Sequence, residues 1–363
     1  MRRLLTVGAL SLAIVGSTFS NVHASTATRA TTGAPIGTEV TISTSGDILA
    51  HKSLLNAAKT KTGYNFAPLL TGLKSLLTAD INICHLETPL SPKPPRGYPV
   101  FRTPIQLAAG IKSAGFQGCS VVSNHSLDSG IDAVFGTKNT MRAQGLQTAG
   151  TRLTPSDSAI AWYTTSKGVR VAQLAYAFGF NGIPRPKGKE WAVNLIKAAD
   201  IIDAAKQARL AGAQLVIVSM HWGTEYSDKA DGFQKGLAKQ LTASPYIDGI
   251  IGHHTHVIQN AAVINGKPVI YGTGNLWSAQ GPWAGATLKN GQHGAIVTLK
   301  FKVAANHSTY VSGSYVPTFV PRYSWKVGAA KKATLSSQGT EACRAIKNAA
   351  KHLSSVLSGP TTC

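Results

Sequence analysis

Short apolar runs alternate with helix-like stretches along residues 39–321. The runs are rich in β-branched residues and are bounded by glycine, proline, asparagine or serine, which is typical of strands. They lie at 40–45, 79–84, 119–123, 169–174, 215–220, 247–251 and 268–271. Residues 191–213 instead place Leu195, Ala199 and Ile202 at helical spacing, which predicts one helix there. The alternation predicts an α/β fold with a substantial sheet.

The C-terminal part of the chain has a different pattern. Residues 295–303 and 309–319 are predicted to be antiparallel strands that close a sheet, and residues 322–363 form a C-terminal extension with a helix-like stretch at 341–357. Cys343 and Cys363 could close a loop around that stretch. Cys84 and Cys119 lie in apolar runs, where each could be either a buried free thiol or part of a disulfide.

The N-terminus has the three parts of a secretory signal. Arg2 and Arg3 precede an apolar core at 4–15, and small residues mark a cleavage pattern at 22–24. The apolar core is shorter than a membrane span, which disfavours the alternative of an anchor. We predict a signal peptide at 1–24, a linker at 25–38, one domain at 39–321 and export to the cell envelope or beyond, with no transmembrane span after cleavage.

Composition and charge narrow the function. With 43 % hydrophobic residues the 363-residue chain can bury a core, and four cysteines are too few for a disulfide framework. Lysine and arginine number 36 against 15 acidic residues, a net charge of +21. Such an excess attracts polyanions: nucleic acid, a wall or capsule polymer, or an acidic membrane surface. The sequence contains no specific nucleic-acid-binding module.

Most histidines and several of the scarce acids directly follow predicted strands. They are His51, His85, His125, His221, His253, His254, His256, Asp47, Glu87, Asp128 and Glu225. The carboxyl ends of strands in open α/β sheets converge, so these side chains should lie together. Imidazole, carboxylate and an asparagine carbonyl suit Mn, Zn or Fe ions. The pattern predicts a site for one or two divalent metal ions.

Individual clusters differ in how specific they are. Three histidines within residues 253–256 are hard to explain by packing, and Asn124-His125 is a poor choice for a core. Asn275, in a tight turn after a strand, could contact a substrate. Arg102 could contact an anion, with an ordinary surface arginine as the alternative.

The ordered motifs resemble the CapA family, the poly-γ-glutamate capsule biosynthesis proteins, which is related in fold to calcineurin-like metallophosphatases. The motifs are Gly46-Asp47, Leu86-Glu87-Thr88-Pro89, Asn124-His125-Ser126-Leu127-Asp128-Ser129-Gly130, His221-Trp222-Gly223-Thr224-Glu225, Gly252-His253-His254-Thr255-His256-Val257 and Tyr271-Gly272-Thr273-Gly274-Asn275. The resemblance implies a metallophosphatase-like four-layer α/β/β/α sandwich, in which two sheets are flanked by helices.

The resemblance also assigns roles to residues. It implies metal ligands at Asp47, Glu87, Asn124, His221, His254 and His256, a catalytic His125, and further candidates at His51, Asp128, Glu225, His253, Asn275 and Arg102. The chain departs from the pattern in three places. Phosphatases usually have a histidine two residues after the first aspartate, whereas the first histidine after Asp47 is His51, four residues on. Glu87 stands where phosphatases carry aspartate. His85 stands where the family more often has asparagine.

Two functions from different classes follow. The first is a secreted, metal-dependent phosphoesterase-like hydrolase that acts on or with an anionic envelope polymer such as poly-γ-glutamate. The alternative is a non-catalytic protein that binds this polymer during capsule assembly or export. A nucleic-acid phosphodiesterase ranks third, since nothing in the sequence reads or stacks bases.

Overall fold

The strands of this protein form two mixed sheets that face each other. A computed structural model describes residues 35–303, 308–330 and 339–363, all within one compact unit. The predicted signal peptide and most of the predicted linker lie outside the described residues. No helix among the residues described is long and apolar enough to cross a membrane.

The first sheet has the order β18-β17-β16-β1-β4-β7-β8, and β15 pairs with the end of β1. Its strands are β1 (Glu39–Ile48), β4 (Ile81–Leu86), β7 (Gly118–Ser120), β8 (Gln147–Ala149), β15 (Asn275–Trp277), β16 (His293–Val303), β17 (Ser308–Phe319) and β18 (Gly328–Ala329). Strands β1, β4, β7 and β8 pair in parallel, whereas β16 pairs antiparallel with both β1 and β17. The predicted antiparallel closing strands are therefore confirmed.

The second sheet has the order β13-β14-β12-β11-β10-β9. Its strands are β9 (Ala161–Thr164), β10 (Arg170–Ala177), β11 (Leu215–His221), β12 (Gly249–His253), β13 (Ala261–Ile264) and β14 (Lys267–Ile270). The four inner strands are parallel and the two edge strands antiparallel. Two small ribbons complete the strands: β2 (Lys59–Thr60) with β3 (Gly63–Tyr64), and β5 (Leu90–Ser91) with β6 (Thr103–Pro104).

Seven α-helices surround the sheets in the described part of the chain. They are α1 (Lys52–Ala58), α2 (Ala67–Leu70), α3 (Leu107–Ala114), α4 (Ile131–Ala143), α5 (Ala198–Leu210), α6 (Gly232–Ala243) and α7 (Gly339–Leu353). The predicted helix at 191–213 begins only at Ala198. Before it, Val193 pairs with Thr151 and Leu195 with Ala177, so the backbone there is bonded as extended chain.

The core follows the two-residue period of the strands. On β11, Leu215 and Ile217 pack between the sheets, while Val216 and Val218 pack against α5 and α6. Apolar side chains of α1–α3 cover the outer face of the first sheet. The layers are therefore helices, sheet, sheet and helices, and the predicted four-layer sandwich is confirmed.

The C-terminal residues and the cysteines are tied to this framework. β18 pairs with β17, and α7 packs on the same sheet through Ala342 and Ile346, next to Phe319. One disulfide joins Cys343 to Cys363, and a second joins Cys84 to Cys119, which are paired residues of the neighbouring strands β4 and β7. Of the two alternatives for Cys84 and Cys119, the structure therefore has the disulfide.

Candidate metal centre

The predicted site residues meet where the carboxyl ends of both sheets come together. In the first sheet Asp47, at the end of β1, is paired with His85 of β4. In the second sheet His221, at the end of β11, is paired with His253 of β12. Because both sheets present these ends at the same edge, residues far apart in the chain become neighbours, such as Asp47 and His254 at a separation of 207.

Two groups of buried side chains there could each hold a metal ion. One consists of Glu87, His221 and His254, and the other of Asp47, Glu87 and His256; in each, the ligand atoms lie within 4.8 Å of one another. Glu87 belongs to both groups. Its Oε1 lies 4.0 Å from His221 Nε2 and 3.7 Å from His256 Nε2. This arrangement suits a carboxylate shared between two neighbouring ions.

The polar atoms of these groups fit a divalent cation. Both carboxylate oxygens of Glu87, Oδ1 of Asp47 and Nδ1 of His254 are buried without a hydrogen-bond partner among the described residues. Leaving such atoms unsatisfied costs about 1–3 kcal/mol each, and more for a charged group. Carboxylate oxygens and imidazole nitrogens are ligands for Zn, Mn and Fe ions, so cations bound by the two groups would satisfy these atoms.

Burial and mutual charge shift the pKa values in this cluster. Burial raises the pKa of Glu87 well above its usual range. Burial also lowers the pKa of His254 to about 3, which keeps the imidazole neutral and its nitrogens available. At His256 burial acts the same way, but the charges of Glu87 and Asp47 override it and raise the pKa to about 9. Without an ion these shifts favour a protonated Glu87 and a protonated His256, and a bound cation would favour the ionised carboxylate and the neutral imidazole that coordination requires.

Asn124 adds an amide oxygen to the first group. Its Oδ1 lies 2.8 Å from His221 Nε2, and its Nδ2 donates a hydrogen bond to Asn181 Oδ1 over 3.1 Å. The amide is therefore held with its oxygen toward the ligand atoms of that group. This is the orientation expected if Asn124 is a ligand.

The turn at His254 and His256 has an unusual backbone. Their φ angles are +89° and +57°, in the left-handed region that non-glycine residues rarely adopt. Such conformations cost about 1–3 kcal/mol each and persist only where the surroundings enforce them. Here the N–H of His254 donates to Asp47 Oδ2 over 3.0 Å. The strained turn places both imidazoles on the same side as the carboxylates.

His125 forms a dyad with Asp128 next to the two groups. Its Nδ1 lies 2.7 Å from Asp128 Oδ2, which also accepts a hydrogen bond from the Phe101 N–H over 2.7 Å. The ring of Phe101 meets the imidazole edge-on, with centroids 4.7 Å apart. Both contacts fix the orientation of His125.

A cavity of about 470 Å³ opens beside the metal-ligand groups. His125, His256 and Glu225 line its polar side, and Tyr98 and Phe101 lie on its apolar side. A neighbouring cavity of about 480 Å³ shares Tyr98 and is lined by Lys52 and Arg96. A ligand in the first cavity would contact His125 and His256 directly.

The further candidates take distinct places. His51 lines the cavity but belongs to neither metal-ligand group, and its Nδ1 is 3.1 Å from the Leu49 carbonyl. Glu225 stands 40 % exposed at the rim, with Oε1 3.9 Å from His256 Nε2.

Three others contact protein groups. Asn275 is fully buried, and its Oδ1 lies 3.0 Å from His256 Nδ1, a position that orients this imidazole. His253 Nδ1 lies 3.3 Å from Asp47 Oδ1. Arg102 donates to Ser129 Oγ and does not line the cavity described above.

Sequence reasoning missed several residues that contact the site. The ring of Phe178 packs on His254, with centroids 4.6 Å apart. The side chain of Asn181 accepts a hydrogen bond from Asn124 and lies 3.3 Å from His125 Nδ1. Tyr226 lines the cavity and accepts a hydrogen bond from Gln280. Phe178 directly follows β10, which ends at Ala177, and Asn181 lies in the loop after it. The signal that selected the histidines, a position soon after a strand, would have found them too.

Comparison with known proteins identifies the family. Residues 41–280 match the family model described as bacterial capsule synthesis protein PGA_cap. The chain belongs to this family. It is 34 % identical over 180 residues to the capsule biosynthesis protein CapA of Bacillus anthracis and 29 % identical over 176 residues to the PGA biosynthesis protein CapA of Bacillus subtilis (strain 168). Each match covers 47 % of this chain. The matched part is 42 % of the Bacillus anthracis protein and 45 % of the Bacillus subtilis protein, so this chain spans less than half the length of either relative.

Two solved structures follow part of the same course of the chain at low sequence identity. A 5'-nucleotidase precursor from Thermus thermophilus has a TM-score of 0.49 at 13 % identity and covers 86 % of this chain and 59 % of its own. The calcineurin-like phosphoesterase YfkN from Bacillus subtilis has a TM-score of 0.46 at 13 % identity, with coverages of 84 % and 98 %.

Proposed function

We propose that this protein is an exported, metal-dependent phosphoesterase-like hydrolase that acts on or with an anionic polymer of the cell envelope. One observation carries the proposal: two metal-ligand groups share Glu87 next to a cavity that is also lined by His125. Family membership supports a role in capsule synthesis. Two disulfides among the described residues fit the oxidising compartment that the predicted signal peptide implies.

The metal-binding part of the proposal names specific residues. Glu87, His221, His254 and the Asn124 amide would hold one ion, and Asp47, Glu87 and His256 a second. Divalent ions at these positions would neutralise phosphoryl oxygens and favour the ionisation of water. The strained turn of His254 and the buried position of Glu87 keep these ligands in place before any ion arrives.

His125 is the proposed general acid. Because Asp128 accepts the hydrogen bond of Nδ1, the Nε2 of His125 is left for exchange of a proton with a ligand in the cavity. Asp128 also fixes the orientation of the ring, as a carboxylate partner does in a catalytic triad. His125 would thus donate a proton to the leaving oxygen.

The charge of the chain supports an anionic polymer as the ligand. The net charge is +21, and Lys52 and Arg96 line the cavity that adjoins the metal-ligand groups across Tyr98. A chain with an acidic group at each repeat could place one group at the metal ions and others near these cations. Basic groups so arranged raise the local concentration of such a polymer.

Metal content and turnover test the proposal together. The purified protein should contain a stoichiometric divalent metal and hydrolyse an aryl phosphate, a chelator should abolish turnover, and Mn or Zn should restore it. A folded protein that binds no metal and hydrolyses no phosphoester would refute the proposed enzyme.

The alternative is non-catalytic binding of the same polymer, which the net charge of +21 favours independently of the metal site. It predicts an affinity for poly-γ-glutamate that falls steeply as salt rises, because exposed charges are screened. It also predicts that chelators leave this affinity unchanged, whereas an affinity that depends on bound metal would count against it.

A further inference from the structure

Two buried histidines lie behind the metal-ligand groups without belonging to either. His85 is fully buried and His253 is 1 % exposed, and their rings stack with centroids 4.3 Å apart. A buried imidazole is costly unless its nitrogens find partners. The partners of His85 indicate what it does.

His85 connects a proposed metal ligand to a serine of the neighbouring strand. Its Nε2 lies 3.0 Å from His221 Nδ1, and its Nδ1 lies 2.7 Å from Ser120 Oγ. The register of β4 and β7 pairs His85 with Ser120, which fixes the second contact. The hydroxyl of Ser120 can in turn donate to the Cys84 carbonyl at 3.5 Å.

Metal binding selects one direction for these hydrogen bonds. His221 Nε2 lies 2.8 Å from Asn124 Oδ1 and 4.0 Å from Glu87 Oε1, both oxygens of proposed ligands. An ion held by these oxygens would take the lone pair of Nε2 in place of the hydrogen bond to Asn124, and the ring proton would then sit on Nδ1. That Nδ1–H then donates to His85 Nε2. In turn His85 Nδ1–H donates to Ser120 Oγ, and every donor in the row finds an acceptor.

We propose that His85 is a positioning residue for the cation held by Glu87, His221 and His254. It accepts the hydrogen bond of His221 Nδ1 and thereby holds the tautomer that leaves Nε2 free for the ion. Metal-binding histidines usually donate this second hydrogen to a carboxylate, a backbone carbonyl or water. A neutral imidazole does the same without adding a third negative charge beside Asp47 and Glu87. The inference rests on the cation-binding part of the proposed function and not on hydrolysis.

The test measures the affinity of the full chain for Zn²⁺ by calorimetry with a competing chelator. His85→Phe keeps a ring of similar size but has no acceptor, and we expect about 10- to 100-fold weaker binding at one site, as for other partners of metal ligands. His85→Gln retains an amide acceptor and should recover most of the affinity. The matched control is His293→Phe, since His293 is also fully buried and its nitrogens have no hydrogen-bond partner among the described residues. Its affinity should equal that of the wild type.

A double-mutant cycle separates positioning from packing. If His85 acts through His221, then His85→Phe should change Zn²⁺ affinity in the wild type but not in the His221→Ala background. Should His85→Phe fail to fold, as judged by circular dichroism, Ser120→Ala becomes the test. It removes the acceptor of His85 Nδ1 and should weaken binding several-fold.

The outcomes are distinct. If the wild type binds Zn²⁺ and His85→Phe, or Ser120→Ala where that variant is used, binds it with the same affinity, this inference alone is overturned. A wild-type protein that binds no divalent cation would overturn both the inference and the proposed function. An equal effect of His85→Phe in both backgrounds would assign His85 to packing and overturn the positioning role.

Discussion

The backbone N–H of His254 donates a hydrogen bond to Asp47 Oδ2 over 3.0 Å, although 207 residues separate the two in the chain. Asp47 ends β1 of the first sheet and His254 directly follows β12 of the second. The bond therefore joins the two sheets at the point where both metal-ligand groups form. It also restrains the left-handed backbone of His254, so Asp47 is both a proposed ligand and a support for another ligand.

Replacement of either residue by alanine should abolish metal-dependent turnover. Asp47→Ala removes one ligand and releases the turn, and His254→Ala removes a ligand of the other group. Since even partners of metal ligands contribute 10- to 100-fold, we expect metal affinity to fall by more than about 100-fold in each variant. Metal analysis and aryl phosphate hydrolysis measure the effect, and circular dichroism confirms folding. Asp203→Ala, an exposed acid on α5, is the control, and unchanged turnover in Asp47→Ala would contradict the assigned ligand.

The proposed acid role of His125 predicts a dependence on the leaving group. His125→Ala should slow hydrolysis of an alkyl phosphate about 10²- to 10⁴-fold, because the alkoxide needs a proton as it departs. Hydrolysis of 4-nitrophenyl phosphate should slow much less, since its leaving group is stable without one. Asp128→Asn should slow both reactions less than His125→Ala does, and again the alkyl phosphate more than 4-nitrophenyl phosphate. Equal losses on both substrates would contradict general acid catalysis and favour a role in binding.

Asp157 makes stability sensitive to acid at a site remote from the metal-ligand groups. Partial burial would raise its pKa, but the Leu153 N–H and the cations of Arg142 and Lys138 outweigh this and lower the pKa to about 2. The carboxylate therefore stabilises the folded state fully above about pH 4, and this contribution is lost as the pH falls through about 2. Urea unfolding should show Asp157→Asn to be less stable than the wild type at pH 6, with the difference shrinking towards pH 2. A difference that stays constant over this range would contradict the assignment.

The disulfide between Cys343 and Cys363 should contribute to global stability through the loop that it closes. The two cysteines are 20 residues apart, and a loop of that length corresponds to about 3 kcal/mol of unfolding free energy in the chain-entropy model. The double variant Cys343→Ser with Cys363→Ser should lose about that amount in denaturant unfolding. Metal affinity should stay at the wild-type value, since α7 packs on β16 and β17 and contributes no residue to either metal-ligand group. A loss of metal affinity in this variant would show that α7 supports the site.

The sequence by itself determined most of the long strands and the chemical types of the site, and the layers followed from its resemblance to a known family; the short strands β8, β9 and β13 were not predicted. Short apolar runs predicted β1, β4, β11 and β12, and the histidines and acids just after those runs were recognised as candidate ligands. By contrast β15, which carries Asn275, was predicted as a turn. The start of α5 was missed, because residues 193–197 satisfy their backbone by pairing with neighbouring chain rather than by helical bonds, and no local pattern records that pairing.

Only the tertiary structure decided which histidine does what. The adjacent His253 and His254 have the same local sequence signal, yet His254 belongs to a metal-ligand group and His253 stacks on His85 behind it. Likewise, the sharing of Glu87 and the pairing of Cys84 with Cys119 depend on strand register and on the packing of one sheet against the other. Sequence periodicity fixes which face a side chain occupies, whereas the distance between two side chains from different sheets is set by how the whole core packs.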